Sequence, residues 1–288
     1  MPAVGLSTVL ILLTACSPEP LPDSSPTPAV IDDALPADPG FGHIHAVDLN
    51  PGDHLVYVAA HNGVFRINDD GPERVGESQH DAMGLVILGP DVFLSSGHPF
   101  GGAGPSNMGL LRSADAATSW EAIALEGEVD FHALSSAGER IVGWDSTGAD
   151  VMRSDDGGLT WQAGARLRLA DMDVDPLDPD HVVATTPEGL MVSYDAGATF
   201  EAHPVQPPQS LILVDHIGEG DDPAQMLAGL SEDGTLWTLD GQEWVAAGSP
   251  VATPEAFTAV NSQTYLAAFQ GDVYRSDNGG ATWTLISA

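Results

Sequence analysis

An eight-residue pattern recurs along the chain and restricts its fold more than any other feature. Residues 154–161 read Ser-x-Asp-x-Gly-x-Thr-Trp, residues 193–200 end in Phe instead, and residues 276–283 carry Asn for Asp. Residues 113–120 hold a degraded copy, with Ala and Ser in the Gly and Thr positions. Four copies in one register indicate a tandem repeat. The pattern positions are Ser113, Asp115 and Trp120; Ser154, Asp156, Gly158, Thr160 and Trp161; Ser193, Asp195, Gly197, Thr199 and Phe200; and Ser276, Asn278, Gly280, Thr282 and Trp283.

The spacing of the copies predicts the fold class. Their closing aromatic residues recur roughly every 40 residues, which is typical of β-propeller blades built from short strands. Trp244, which follows Asp240-Gly241, fills the gap before the last copy. Asp69-Asp70-Gly71 is a degenerate first copy. The sequence therefore predicts an all-β fold over residues 41–288. We expect a single β-propeller of about six four-stranded blades, with seven as the alternative.

The repeated pattern predicts a tight turn between the outer two strands of each blade. An Asp side chain and a Gly backbone suit such a turn, and the aromatic side chain can pack between neighbouring sheets. A turn of this kind at the rim carries no chemistry. Functional residues are therefore expected elsewhere in the repeat.

The N-terminal residues predict export and lipid attachment. Residues 9–13 form an apolar run that is too short to span a bilayer, as in a signal peptide. The run leads into Leu13-Thr14-Ala15-Cys16, which resembles the bacterial lipobox and implies cleavage before Cys16 and a lipid on it. Residues 1–15 are predicted to be a lipoprotein signal peptide and the Pro-rich residues 16–40 a tether. The expected location is the outer face of the bacterial cytoplasmic membrane, or the cell surface.

The charge balance argues against nucleic acid as a partner. The chain has 42 acidic residues against 8 basic ones, with a formal net charge of −34. Such a surface repels phosphate backbones and anionic lipid headgroups alike. The membrane is therefore expected to be reached only through the lipid on Cys16. We interpret the acidity as a solvated surface suited to an exported protein.

Alignment of the innermost strands predicts a histidine-rich mouth of the central channel. One level of the repeats holds His45, Met83, His132, Met172 and Thr258. Two residues earlier come His43, Asp81, Asp130 and Ala170. Because residues two apart share one face of a strand, both sets are expected at the same mouth. The returning second strands and the start of the second blade add His61, His98 and His80.

These side chains make the mouth a candidate metal site. Imidazole with thioether favours copper, and imidazole with carboxylate suits zinc or iron, so copper or zinc is the predicted cofactor. The alternative is that these residues pack and form hydrogen bonds. Calcium is disfavoured at the Asp-rich residues 171–180, which match the first blade's hairpin and lack the Gly and Glu of a calcium loop. His54 and His181 fall at the opposite end and are interpreted as turn residues. The candidate ligands are His43, His45, His61, His80, Asp81, Met83, His98 and His132.

The repeated pattern resembles the Asp-box, or BNR repeat, of sialidases and sortilin-like propellers. With His43-Ile44-His45, Asp81-x-Met83-Gly84 and Ser96-Gly97-His98-Pro99, it makes residues 41–288 resemble bacterial secreted propellers often labelled glycosylhydrolase-like. More distantly, the repeats are similar to sortilin ectodomains and photosystem II assembly-factor propellers. That second resemblance implies a binding module without catalysis.

The sialidase resemblance implies three arginines that hold a substrate carboxylate. Here Arg112, Arg153 and Arg275 each precede the Ser of a repeat, which gives them a structural explanation. We therefore favour a non-catalytic metal-binding or partner-binding module over an enzyme. A glycoside hydrolase that uses Asp81 and Asp130 is the first alternative, and a protein-assembly scaffold is the second. A protein or a glycan is the expected partner.

Overall fold

The computed structural model describes residue 1 and residues 40–102, 104–218, 226–248 and 251–288. The compact unit that carries the strands spans Pro39–Ala288. Cys16 and residues 2–39, which hold nearly all of the predicted signal peptide and tether, lie outside the described residues. Within the described ranges, no helix has the length and apolar character needed to cross a membrane.

The described residues form six antiparallel four-stranded sheets, which confirms the predicted six-bladed β-propeller. Blades 1 to 3 comprise β1–β4 (Ile44–Leu49, Val56–Ala60, Gly63–Asn68, Gly71–Arg74), β5–β8 (Asp81–Gly89, Val92–His98, Leu110–Ser113, Glu121–Ala124) and β9–β12 (Phe131–Ala137, Arg140–Asp145, Asp150–Ser154, Gln162–Arg166). Blades 4 to 6 comprise β13–β16 (Asp171–Val174, Val182–Thr186, Gly189–Ser193, Glu201–Ala202), β17–β20 (Leu211–His216, Met226–Ser231, Leu236–Asp240, Glu243–Ala247) and β21–β24 (Pro254–Ala259, Tyr265–Phe269, Asp272–Ser276, Thr284–Leu285). A short 3-10 turn, Phe100–Gly102, follows β6.

Burial along the strands follows from their place in a blade. The second strands β2, β14 and β22 are buried at every residue, because neighbouring blades cover both faces of the sheet. Strands covered on both faces are apolar runs with little alternation. The first strand β9 instead alternates between buried and half-buried residues. This alternation fits a strand with one face on the core and one on the channel.

Side-chain hydrogen bonds close the repeat turn, defined here as the eight-residue pattern between the third and fourth strands of a blade. In blade 3, Ser154 Oγ donates to Asp156 Oδ1 at 2.8 Å and accepts from the Gly158 backbone N at 2.9 Å. The Asp156 carboxylate accepts from the hydroxyl and backbone N of Thr160 at 2.6 and 2.8 Å. The hydrogen bonds from Thr160 and Ser154 lower the pKa of Asp156 to about 2. Closely similar turns form around Asp115, Asp195 and Asn278.

The aromatic residue of the repeat turn packs between blades, as the sequence predicts. Trp161 lies against Phe131 with ring centroids 4.7 Å apart, and its indole N donates to the Gly158 backbone O at 2.9 Å. The same cluster contains Leu110 and Ile123 from blade 2. Trp161 therefore joins blade 3 to blade 2.

The ring closes between blade 6 and blade 1, and each blade is built from four consecutive strands. Buried Ile44 of β1 and Leu266 of β22 belong to one apolar cluster. Glu255 of β21 accepts the backbone N of Ile44 at 3.0 Å, and Thr258 Oγ1 donates to the Val47 backbone O at 2.5 Å. Side-chain packing and hydrogen bonds thus join the first and last blades.

Replacing Trp161 tests the packing between blades. Trp161→Ala should lower the free energy of unfolding by about 3 kcal/mol. This value is at the low end of the range for replacing a large aromatic residue by Ala, because the ring is half-buried. Leu159→Ala in the same turn is the matched control, since Leu159 is 63% exposed and should change stability by less than about 0.5 kcal/mol. Denaturant unfolding of both variants is the measurement. An unchanged midpoint for Trp161→Ala would contradict its role between blades.

Candidate functional site

A central channel of about 590 Å³ is lined by residues of the first strand of every blade. The five residues that the sequence aligns at one level all line this channel. They are His45, Met83, His132, Met172 and Thr258. The inner strands of the blades therefore bring these side chains together around one axis.

His45, His61 and Asp81 form a first cluster at the mouth, called here mouth group 1. His45 lies on β1, His61 follows β2, and Asp81 begins β5 of the next blade. The Nε2 of His45 lies 3.2 Å from Asp81 Oδ1, and the Nδ1 of His61 lies 2.9 Å from Asp81 Oδ2. One ligand atom from each of the three residues fits within 4.8 Å of the others. Mouth group 1 therefore joins blades 1 and 2.

His98, Asp130 and His132 form the equivalent cluster between blades 2 and 3, called here mouth group 2. The Nε2 atoms of His98 and His132 lie 3.3 and 2.7 Å from Asp130 Oδ2. Ser146 Oγ donates to the same oxygen at 2.8 Å. Asp130 is buried, whereas both histidines are partly open to solvent.

A glycine in β6 explains how the two groups come to be neighbours. Asp81 of mouth group 1 and His98 of mouth group 2 are direct partners across the β5–β6 pair. Gly97, just before His98, has a φ of +148°, and a Cβ there would lie 1.8 Å from the Asp81 backbone O. Only glycine, which has no Cβ, allows the backbone of β6 to lie this close to that of β5. The neighbouring Ser96 Oγ accepts the backbone N of Phe131 at 3.0 Å, which ties this strand to blade 3.

Electrostatics favour a neutral imidazole at His45 and an ionised carboxylate at Asp130. Burial lowers the pKa of His45 to about 4, although Asp81 opposes the shift, so His45 is neutral at pH 7. Burial also acts to raise the pKa of Asp130, but hydrogen bonds from His132 and Ser146 outweigh it, and the net pKa lies below its usual range. The Asp130 carboxylate therefore keeps its negative charge at neutral pH.

Three buried polar atoms of the mouth have no hydrogen-bond partner among the described residues. They are Nε2 of His45, Oδ1 of Asp81 and Oδ1 of Asp130. The first two lie 3.2 Å apart in a geometry that makes no hydrogen bond. Buried polar atoms left this way are costly, so they call for a physical reason.

The remaining sequence-predicted ligands lie outside both mouth groups. His43 is exposed, with its ring 4.8 Å from that of His45. His80 is buried, 2.7 Å from Ser78 Oγ, and packs against Trp120 at 5.5 Å between ring centroids. His80 therefore belongs to the packing between blades. Met83 lines the channel.

Four carboxylates also line the channel, and two of them belong to the Asp-rich residues 171–180 that the sequence disfavours as a calcium loop. Burial raises the pKa of Asp48 to about 6 and that of Asp171 to about 7, and it raises the pKa of Asp215 well above its usual range. Asp173 is the exception. Burial acts to raise its pKa too, but the hydrogen bond and charge of His216, at 2.7 Å, together with further hydrogen bonds to the carboxylate, hold the pKa below its usual range.

His181 lies in the turn between β13 and β14, as predicted, and its backbone N donates to the Asp178 backbone O at 2.9 Å. The structure buries His181 and places its Nδ1 3.2 Å from the Nε2 of His216 on β17. Asp175 completes a third cluster of possible ligands with these two histidines. His181 precedes the second strand of blade 4 and His216 ends the first strand of blade 5, so alignment of the repeats does not pair them.

Comparisons with known proteins relate this chain to propellers by fold. No protein-family model and no curated protein matches it. It is similar to the GH74 xyloglucanase from Xanthomonas campestris, with a TM-score of 0.56 and 18% identity over 85% of this chain and 45% of that one. It is also similar to YCF48 from Cyanidioschyzon merolae, with a TM-score of 0.52 and 14% identity over 87% of each chain. It is also similar to a chain of a nidogen/laminin complex, with a TM-score of 0.63 and 11% identity over 81% of this chain and 93% of that one.

These likenesses bear on the fold alone. The chain spans less than half the length of the xyloglucanase that it matches. At such low identity, a propeller frame is compatible with many unrelated functions. The function must therefore be argued from the channel and its residues.

The channel carboxylates generate a prediction about pH. Asp171 is held protonated in the fold up to pH of about 7 but ionises near pH 4 when unfolded, so its contribution to stability is present below pH 4 and lost as pH rises to 7. Asp171→Asn cannot ionise, yet its amide oxygen can still accept the Val214 backbone N. The stability of this variant relative to wild type should therefore rise between pH 4 and 7. Urea unfolding at several pH values measures the difference.

The control for this experiment is Asp156→Asn. The pKa of Asp156 is lowered to about 2, so its contribution to stability is lost only as pH falls from about 4 towards 2. The stability difference between Asp156→Asn and wild type should therefore stay constant from pH 4 to 7. A constant difference for Asp171→Asn as well would contradict the assignment of Asp171.

Proposed function

We propose that this propeller is a binding module that holds a divalent transition-metal ion, zinc or copper, at the histidine-lined mouth of its channel. The observation that carries the proposal is the pair of buried atoms, His45 Nε2 and Asp81 Oδ1. They lie 3.2 Å apart without a hydrogen bond to each other or to any other described residue. A metal ion bound to both atoms would compensate the cost of burying them.

The donor sets support a transition metal. Each mouth group offers two imidazole nitrogens and one carboxylate oxygen, a combination used for zinc with a solvent molecule in the fourth position. Copper(II) also accepts imidazole and carboxylate, and the thioether of Met83 lines the same channel. Because His45 is already neutral at pH 7, a metal ion need not displace a proton from it.

The exposure of one ligand in each mouth group and the negative charge of the chain support exchange of the bound ion with solvent. The side chains of His61 and His98 are 62% and 39% exposed, so each mouth group has one ligand at the surface. The net charge of −34 raises the local concentration of cations. An ion can therefore reach the mouth and leave it without unfolding a blade.

The same carboxylates fit poorly as a glycosidase pair. Hydrolysis of a glycosidic bond needs one carboxyl with a raised pKa that donates a proton. The pKa of Asp130 is lowered, and both Asp81 and Asp130 are within ion-pair distance of two histidines each. These contacts favour metal binding over acid catalysis.

Removing the two exposed ligands tests the proposal. The double variant His61→Ala, His98→Ala should bind zinc or copper at the mouth at least about tenfold more weakly, because each group loses one of three donors, and a tenfold loss is about 1.4 kcal/mol. Titration of metal-free protein with each ion, in competition with a chelating indicator, measures the affinity and identifies the preferred ion. Because both side chains are exposed, the variant should fold as wild type does, and circular dichroism checks this.

The matched control is His54→Asn, which removes an exposed histidine outside the metal-binding clusters. His54 has a φ of +61°, a conformation that Asn tolerates. This variant should bind metal as wild type does. Equal metal affinity of the His61→Ala, His98→Ala protein and wild type would overturn the proposal.

We also propose that the protein is exported and lipid-anchored through Cys16. The apolar residues 9–13 followed by Leu13-Thr14-Ala15-Cys16 support this location. Cys16→Ser should abolish incorporation of labelled fatty acid in a bacterial host and release the protein from the membrane fraction. Membrane retention of Cys16→Ser would argue against the anchor.

A further inference from the structure

A third histidine–carboxylate cluster lies between blades 4 and 5, away from the mouth. It consists of Asp175, which follows the end of β13, His181, which precedes β14, and His216 at the end of β17, and is called here the inter-blade group. The three residues are only 1%, 4% and 3% exposed. Mouth residues stand at the starts of the inner strands, whereas Asp175 and His216 stand at their ends. The inter-blade group therefore lies towards the opposite end of the channel.

Asp173 fixes the orientation of His216. The Nδ1 of His216 donates to Asp173 Oδ2 at 2.7 Å, and its backbone N donates to the same oxygen at 2.9 Å. Ser135 Oγ from blade 3 holds the other oxygen of Asp173 at 2.5 Å. Because Nδ1 carries the proton, Nε2 presents its lone pair towards His181. A carboxylate behind a histidine is the usual support of a metal-ligating imidazole.

The distances within the inter-blade group suit a small tetrahedral ion. The Nε2 of His216 lies 3.2 Å from the Nδ1 of His181. Two nitrogens bound to zinc at 2.0–2.1 Å in tetrahedral geometry are roughly 3.3 Å apart. Asp175 Oδ1 accepts the Leu177 backbone N at 2.8 Å, and Asp175 Oδ2 lies 3.9 Å from the His181 Nδ1. One oxygen thus positions the carboxylate while the other faces the histidines.

We infer that the inter-blade group is a second metal site, in which Asp175, His181 and His216 bind one zinc ion and thereby join blade 4 to blade 5. For the ion to bind, the proton of His181 moves from Nδ1 to Nε2, so that both nitrogens that face the ion are unprotonated and both imidazoles stay neutral. Asp173 is a positioning residue, since it holds His216 without reaching the ion. Burial of the three ligands makes this ion structural, in contrast to the exchangeable ion of the mouth.

The charge states of the inter-blade group agree with this role. Burial lowers the pKa of His181, and the neighbouring His216 lowers it further, so the imidazole is neutral at pH 7. Metal ligation requires a neutral imidazole and an ionised carboxylate.

The test uses a protein without mouth ligands, so that the two sites are measured apart. In the full chain, His45, His61, His98 and His132 are all changed to Ala. After zinc loading and dialysis, elemental analysis should find one zinc per chain, and the Tm should be higher with zinc than with a chelator. Adding His181→Gln should remove both the zinc and the chelator effect. Gln can still donate to the Nε2 of His216, which keeps the fold testable.

Two further variants in the same background separate ligation from packing. His80→Gln removes another buried histidine, outside all three clusters, and should lower the Tm yet keep the bound zinc. Asp173→Asn should weaken zinc binding by about 10–100-fold without abolishing it, as expected for a residue that supports a ligand. Absence of zinc from the protein without mouth ligands, or retention of zinc after His181→Gln, would overturn the inference.

The outcomes for the two sites are independent. If the mouth binds no metal but the inter-blade group binds one zinc, the inference stands and only the proposed function is contradicted. The opposite outcome is also distinguishable. If the His181→Gln single variant binds stoichiometric metal at the mouth and the protein without mouth ligands binds no zinc, the proposed function stands and the inference is overturned. Cobalt(II) loaded in place of zinc adds a spectroscopic check, since a tetrahedral site with nitrogen ligands absorbs visible light strongly.

Discussion

Packing between blades is the interaction on which the rest of this structure depends. A four-stranded sheet of short strands cannot bury enough apolar surface by itself, so each blade relies on its neighbours to cover both faces. The fully buried strands β2, β14 and β22 show this dependence directly. The ring must therefore close, and the cluster that contains Ile44 of the first blade and Leu266 of the last closes it.

Because apolar packing holds the inner strands, their channel faces are free to carry polar side chains. Each histidine–carboxylate cluster takes residues from two adjacent blades: 1 and 2, 2 and 3, or 4 and 5. Side chains from different positions of neighbouring repeats come close together across the blade interface. The interface that stabilises the fold therefore also builds the sites. Buried Asp130 Oδ1, which lacks a hydrogen-bond partner among the described residues, shows that one of these sites retains a destabilising feature.

Much of this organisation could be predicted from the sequence, for identifiable reasons. The repeat turn depends on local side-chain to backbone hydrogen bonds, such as those of Asp156 with Thr160, so its pattern is visible in eight residues. The blade count follows from counting such turns. His45 and His132 could be aligned because the repeat fixes their level on the inner strand.

Contacts that depend on the exact angle between blades could not be predicted. His80 immediately precedes Asp81, yet it turns into the core against Trp120. His181 lies in the predicted turn, and only the approach of β17 places it against His216. The raised pKa of Asp171 likewise results from its burial in the closed ring, a property that no single repeat contains.

The burial of the three clusters determines how fast each could exchange an ion. At the mouth, His61 and His98 reach solvent, so a ligand can dissociate by rotating one side chain. In the inter-blade group every ligand is buried, so an ion there can leave only when blades 4 and 5 separate locally. Nearly the same donors thus suit exchange at one end of the channel and structural retention towards the other. The difference arises from burial, which the packing between blades sets.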